Sequence, residues 1–168
     1  AGGPGVIYRT TNRGTLWQSQ YLTPNTEAKS ITFVNTTTGF LVGTQGIILK
    51  TYNSGQTWTQ LFSGVTNTLA AVRFINQTTG WIIGSAGTAL KTTDGGASLS
   101  PQNVGTTQDL TSLFFLNSSI GWITTATERV LKTSDGGTTW GVQQPGGTYA
   151  YTDCKFPIFF INPSIGWF

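Results

Sequence analysis

The chain has 168 residues, enough for a sizeable core, and at 38% hydrophobic and 12% aromatic it is too apolar to stay disordered despite its 22 glycines. Charged residues are 9%, against roughly 25% in an ordinary domain, so solubility must come mainly from hydroxyl and amide side chains. The net charge of +3 comes without any basic run, which removes the footprint of a nucleic-acid binder; the lone Cys154 excludes an intrachain disulfide, and the absence of His excludes imidazole chemistry.

From the start of the chain, Ile7-Tyr8-Arg9-Thr10 leads into Thr11-Asn12-Arg13-Gly14-Thr15-Leu16-Trp17. The same stretch returns as Lys50-Thr51-Tyr52-Asn53-Ser54-Gly55-Gln56-Thr57-Trp58, as Lys91-Thr92-Thr93-Asp94-Gly95-Gly96, and as Lys132-Thr133-Ser134-Asp135-Gly136-Gly137-Thr138-Thr139-Trp140. The Asn/Asp positions 12, 53, 94 and 135 are each 41 apart. A period of roughly 40–45 residues with several short strands per unit predicts β-propeller blades.

Within a unit the elements fall in a fixed order. Leu69–Phe74 reads as a first strand, Asn76–Gly80 as a turn, and Trp81–Gly84 as a short second strand. Ser85-Ala86-Gly87 turns again, Thr88–Thr92 is a third strand, Asp94-Gly95-Gly96 is a tight turn, and a fourth strand runs from Ala97. No stretch carries a sustained helical period, and no 18-residue apolar run exists that could span a membrane. The expected architecture is all-β: four units of about 41 residues, each a blade of four antiparallel strands. The blade units lie at approximately 1–25 (partial), 26–65, 66–105, 106–146 and 147–168 (partial), in one partial propeller domain.

Phe33-Val34-Asn35, Phe74-Ile75-Asn76 and Phe115-Leu116-Asn117 keep the period, whereas Phe160-Ile161-Asn162 follows after 45 residues. The four extra residues fall around Tyr149-Ala150-Tyr151-Thr152-Asp153-Cys154. Insertions in repeat proteins map to loops on one face, often the binding face, so Tyr149, Tyr151, Asp153 and Phe156 form the candidate partner loop. Residue 1 aligns with residue 42, and residue 168 with 123, 82 and 41, so both termini fall within the second strand of a blade. The expectation is a larger ring, an oligomer-completed ring or fibre, or a four-bladed ring sealed by its own termini. An open set of blades would expose strand edges.

In the recurring turn, the Asn or Asp side chain accepts hydrogen bonds from backbone N–H groups just downstream. Gly14, Gly55, Gly96 and Gly137 supply positive φ, and Trp17, Trp58 and Trp140 open the fourth strand with a large apolar ring. Leu99 replaces that Trp in the third copy, predicting a looser outer edge.

The run Phe-x-Asn-x-x-x-Gly-Trp, followed by Leu-Lys-Thr-x-Asp-Gly-Gly-x-Thr-Trp, resembles the Asp-box (BNR) repeat, here in four copies covering essentially the whole chain. In its Gly-Trp form it is similar to the photosystem II assembly/stability-factor-like group of propellers. That resemblance implies a fold-stabilising hairpin at the outer blade edge, remote from any central site, and a bacterial-type secreted or surface protein. The family's assembly role would need an arginine-rich patch, which the scattered Arg9, Arg13, Arg73 and Arg129 do not form in sequence.

Asp94 and Asp135 sit on different blades, too far apart for a catalytic carboxylate pair, and two of the four copies carry Asn instead. The best enzyme case is Asp109 with Asp153, both just ahead of first strands. Asn35, Asn76 and Asn117 each begin an N-x-Ser/Thr pattern and are candidate N-glycosylation sites, while Pro163 blocks Asn162. Asn and Thr also simply make good turns.

The expected function is a non-catalytic, extracytoplasmic scaffold or protein-binding module, extracellular, at the cell surface or in the periplasm. It would assemble with copies of itself or with further blades through broken-blade strand edges. No cofactor and no metal are expected, and no catalytic residue. The alternative is a carbohydrate-active propeller fragment, hydrolytic or glycan-binding.

Overall fold

The computed structural model describes residues 5–22, 26–127, 129–143 and 157–167. Among these it contains three four-stranded antiparallel sheets flanked by two two-stranded ribbons. The first ribbon pairs β1 (Val6–Arg9) with β2 (Gln18–Tyr21). The first sheet is a meander of β3 (Ala28–Phe33), β4 (Gly39–Gly43), β5 (Ile48–Thr51) and β6 (Thr59–Leu61). The second runs β7 (Leu69–Phe74), β8 (Gly80–Gly84), β9 (Ala89–Thr92) and β10 (Ser100–Pro101). The third runs β11 (Leu110–Phe115), β12 (Gly121–Thr125), β13 (Val130–Thr133) and β14 (Gly141–Gln143). The last ribbon pairs β15 (Phe159–Asn162) with β16 (Ile165–Trp167).

This is the blade architecture that the period predicts, in an open row rather than a closed ring. Among the described residues the one helical piece is a single 3-10 turn, Thr44–Gly46, at the bend between β4 and β5. Second strands β4, β8 and β12 are buried along their whole length. Each has a neighbouring sheet on both faces, so it reads as a continuous apolar run rather than an alternating one. The fourth strands, by contrast, are exposed edges. Among them β10 is the shortest, and it carries Pro101, whose missing N–H suits an edge.

The core is a series of apolar seams between successive sheets. Leu41, Ile47 and Leu49 take Ile7 from the first ribbon. Phe40, Val42 and Ile48 meet Leu69, Val72 and Phe74 of the next sheet. Trp81 and Ile83 meet Leu110, Leu113 and Phe115, and Phe114, Trp122 and Val130 meet Ile158 with Phe160 packed alongside. A blade buries its faces only by stacking on its neighbours.

One geometric device recurs at these seams. The first-strand Phe lies opposite the Gly of the following Gly-Trp/Phe pair: Phe33 with Gly39, Phe74 with Gly80, Phe115 with Gly121 and Phe160 with Gly166. A Cβ on Gly121 would stand 2.5 Å from the Phe115 ring, so glycine is there to let the ring lie flat across the strand. The ring's other face then receives the aromatic residue of the preceding blade's second strand. Phe40 stacks on Phe74 at 3.8 Å, Trp81 on Phe115 at 3.6 Å, and Trp122 on Phe160 at 3.7 Å, all within 11° of parallel.

Candidate binding surfaces

Each recurring turn is closed by its own side chains. In the third copy Thr92 Oγ1 donates to Asp94 Oδ1 at 2.8 Å and accepts from Gly96 N, while Ser98 donates its backbone N–H to Oδ1 and its hydroxyl to Oδ2. Thr133, Asp135, Gly137 and Thr139 repeat the set. Asn53 keeps the backbone bond from Thr57 N through Oδ1 but donates Nδ2 to the Thr57 hydroxyl. Asn12 accepts from Leu16 N. Gly14, Gly55, Gly96 and Gly137 have φ between 77° and 95°, the left-handed region that a side chain resists.

Hydrogen bonds from Ser98 to Asp94, and from Thr139 to Asp135, lower both carboxyls to about 2, well under the usual carboxylate value. Each carboxylate is thus committed to its own loop. The turns also act between blades: Trp81 Nε1 donates to Gly136 O at 3.1 Å, and Lys50 Nζ donates to Gly95 O at 2.7 Å. Trp58 and Trp140, half-buried, set their ring edges against Phe33 and Phe115 of their own blades, at 6.2 and 6.0 Å. Trp17 is 56% exposed.

Asn35, Asn76 and Asn117 cap the hairpin between first and second strands, each accepting two backbone N–H bonds through Oδ1. Asn162 does the same ahead of β16 although Pro163 follows it, so this turn forms with or without an acceptor pattern. Asp109 Oδ1 accepts from Ala86 N at 2.9 Å, tying the third sheet to the β8–β9 turn. Its proposed companion Asp153 lies outside the described residues, as do Tyr149, Tyr151 and Phe156.

At the two ends of the row lie the strand edges that the sequence leads one to expect, together with apolar residues that it did not single out. An open cleft of about 370 Å³ lies between β1 and β3, lined by Ile7, Tyr8, Trp17, Ile31 and Leu41 among others. Ile31 in its lining and Phe33 nearby are about half exposed, and among the described residues β1 is hydrogen-bonded to a strand on one side only. At the other end, Phe159, Ile161, Ile165 and Trp167 are each roughly half exposed. In sequence Phe33, Phe159 and Trp167 look like their buried siblings Phe74, Phe114 and Trp122; only their position in the row uncovers them. No helix among the described residues is long and apolar enough to cross a membrane.

Comparison with known proteins agrees with this architecture. The family model for photosynthesis system II assembly factor YCF48 matches residues 56–144, more than half of the chain. The chain is similar in structure to YCF48 bound to D1 peptide, with a TM-score of 0.63 and 24% identity, covering 70% of this chain and 40% of that one. It is also similar to YCF48 from Cyanidioschyzon merolae, with a TM-score of 0.63 and 23% identity, covering 70% and 39%. The GH74 enzyme of Niastella koreensis matches at a TM-score of 0.63 and 19% identity, covering 79% of this chain and 24% of that enzyme. The chain thus spans about 40% or less of the length of these neighbours, and at such identities the likeness shows a shared fold. No curated protein matches it.

Proposed function

The chain belongs to the photosynthesis system II assembly factor YCF48 family, and from that premise we propose that it is a non-catalytic protein-binding module, a scaffold that engages a polypeptide partner through the ends of its row of blades. The observation that carries this reading is the cleft beside β1. It joins a strand edge, which can accept a further strand, to an apolar floor of Ile7, Ile31 and Leu41 that can take alternate side chains. A YCF48 chain bound to a D1 peptide supports a peptide-like ligand for this fold. A charged fraction of 9% and a surface of hydroxyl and amide groups favour an extracytoplasmic setting.

Extended peptides alternating aromatic or aliphatic residues with polar ones are expected to bind the purified chain. Ile31→Asp should weaken that binding by roughly tenfold or more, since it sets a charge in the apolar floor. Failure of every such peptide to bind would reject the reading.

A second reading, a glycan-processing or glycan-binding propeller, draws on the similarity to the GH74 enzyme. It would use Asp109 with Asp153. Polysaccharide cleavage that disappears in Asp109→Asn would replace the binding-module reading with this one.

A further inference from the structure

The hairpin that joins first and second strands repeats one hydrogen-bond scheme. Asn35 Oδ1 accepts from Thr37 N at 2.9 Å and Thr38 N at 2.7 Å, and Asn76 Oδ1 accepts from Thr78 N and Thr79 N at the same distances. Asn117 Oδ1 takes Ser119 N and Ile120 N at 2.9 and 2.8 Å. At Asn35 and Asn76 a side chain adds a third donor, since the hydroxyls of Thr37 and Thr78 reach Oδ1 at 3.1 and 3.0 Å. The hairpins are also fixed from behind: Ser54, Gly95 and Gly136 of the recurring turn donate their backbone N–H to the carbonyls of Thr37, Thr78 and Ser119.

Each of these side-chain bonds is made by the amide oxygen. Among the described residues, Nδ2 of Asn35, Asn76 and Asn117 donates to nothing, whereas Nδ2 of Asn53 and of Asn67 is committed to Thr57 Oγ1 and Ser85 O. Asn76 and Asn117 are exposed and Asn35 is half-buried. The β7–β10 sheet has a neighbouring sheet on either face, so blades before or after this stretch would leave Asn76 uncovered. The turn accounts for the oxygen of each Asn and leaves its nitrogen to solvent.

We propose that Asn35, Asn76 and Asn117 are acceptors of N-linked oligosaccharide, taken up by the folded chain. A carboxamide nitrogen is a poor nucleophile because its lone pair is shared with the carbonyl. As Nδ2 gives up a proton, negative charge gathers on Oδ1, where the backbone N–H groups and the Thr37 or Thr78 hydroxyl already point. Nδ2 then attacks the anomeric carbon of a lipid-pyrophosphate-linked oligosaccharide. The new C–N bond replaces the C–O bond to pyrophosphate, the lipid pyrophosphate leaves, and the proton passes to a carboxylate of the transferase. Of the two exposed sites, the third donor ranks Asn76 ahead of Asn117. Glycans at one end of successive blades would add the polar cover that a charged fraction of 9% does not supply. The inference goes beyond the binding-module reading and shares with it only the extracytoplasmic setting.

The test incubates the folded chain with a single-subunit oligosaccharyltransferase and a lipid-pyrophosphate-linked oligosaccharide. Intact mass and peptide mapping record which Asn is filled, and a short peptide spanning residues 72–82 shows that enzyme and donor are active. Glycans are expected on Asn35, Asn76 and Asn117 and none on Asn162, which Pro163 blocks. Asn117 should fill roughly threefold or more slowly than Asn76, as the loss of one hydrogen bond implies. Ser119→Thr should bring Asn117 up to the rate of Asn76. Pro163→Ala should open Asn162 as a fourth acceptor, because its turn is already formed. A folded chain that stays bare while the peptide is modified would overturn the proposal, as would an Asn162 that stays bare in Pro163→Ala. Binding of extended peptides to the same bare chain is a separate measurement; its failure rejects the binding-module reading and leaves the acceptor sites standing.

Discussion

At the scale of single residues, the recurring turn sets how the fold responds to acid. Asp94 and Asp135, bonded to the hydroxyls and N–H groups of Ser98 and Thr139, have folded-state values near 2, whereas an unfolded aspartate titrates at about 3.9. A depressed value stabilises the fold above the unfolded value, and that contribution is lost as pH falls from about 4 through about 2. The unfolding temperature should therefore drop across this window. In the double variant Asp94→Asn, Asp135→Asn the drop should be smaller, because Asn12 and Asn53 close the same turn without titrating. Thermal melts at stepped pH measure it; equal drops would show that other groups govern the acid response. The turn chemistry was legible because its donors and acceptors lie within five residues of one another. The glycine before Trp was legible as a pattern but not as a mechanism. Its reason is the Phe ring of the facing strand, and Gly121→Ala should cost about 1–3 kcal/mol as Phe115 is forced off its neighbour, measured by chemical denaturation.

At the scale of strands and sheets, stability resides in the seams. Trp81 is fully buried, stacked on Phe115 and hydrogen-bonded to Gly136 O, so Trp81→Ala should cost about 3–5 kcal/mol. A double-mutant cycle with Phe115 should show a coupling of about 0.5–1.5 kcal/mol beyond the loss of buried area. Additive effects would mean that the stack contributes only as apolar surface. The second sheet offers the converse experiment. Leu99 fills the place of an edge-on Trp, half-buried against the Phe40–Phe74 seam. Leu99→Trp should raise stability by about 0.5–1 kcal/mol by restoring the ring-edge contact seen between Trp140 and Phe115. Strand order and hairpins were readable from Gly and Asn spacing, and β10 is short where Leu99 and Pro101 suggest a weak edge. Which ring meets which was not readable, because the partners of each stack lie 34 or more residues apart on separate sheets.

At the scale of the whole molecule, the apolar seams among the described residues join each sheet to its neighbours in the row, so protection should decline outward from the middle. Amide hydrogen exchange is expected to be slowest in β7, β8, β11 and β12 and fastest in β1, β2, β15 and β16 at low protein concentration. An even profile along the row would mean that the sheets open as one unit. The blade count in the described row and the all-β class were evident from the 41-residue period, since identical spacing enforces identical hairpins. The open cleft was not, because residues such as Ile31 and Phe33 have the same types as their buried counterparts. There is a further consequence of rings that bridge blades at a constant sequence offset. Every excised period carries half of two seams, and those halves match any other period's. A gene encoding such a chain can be lengthened or shortened by unequal recombination, one whole module at a time, without redesigning a single contact.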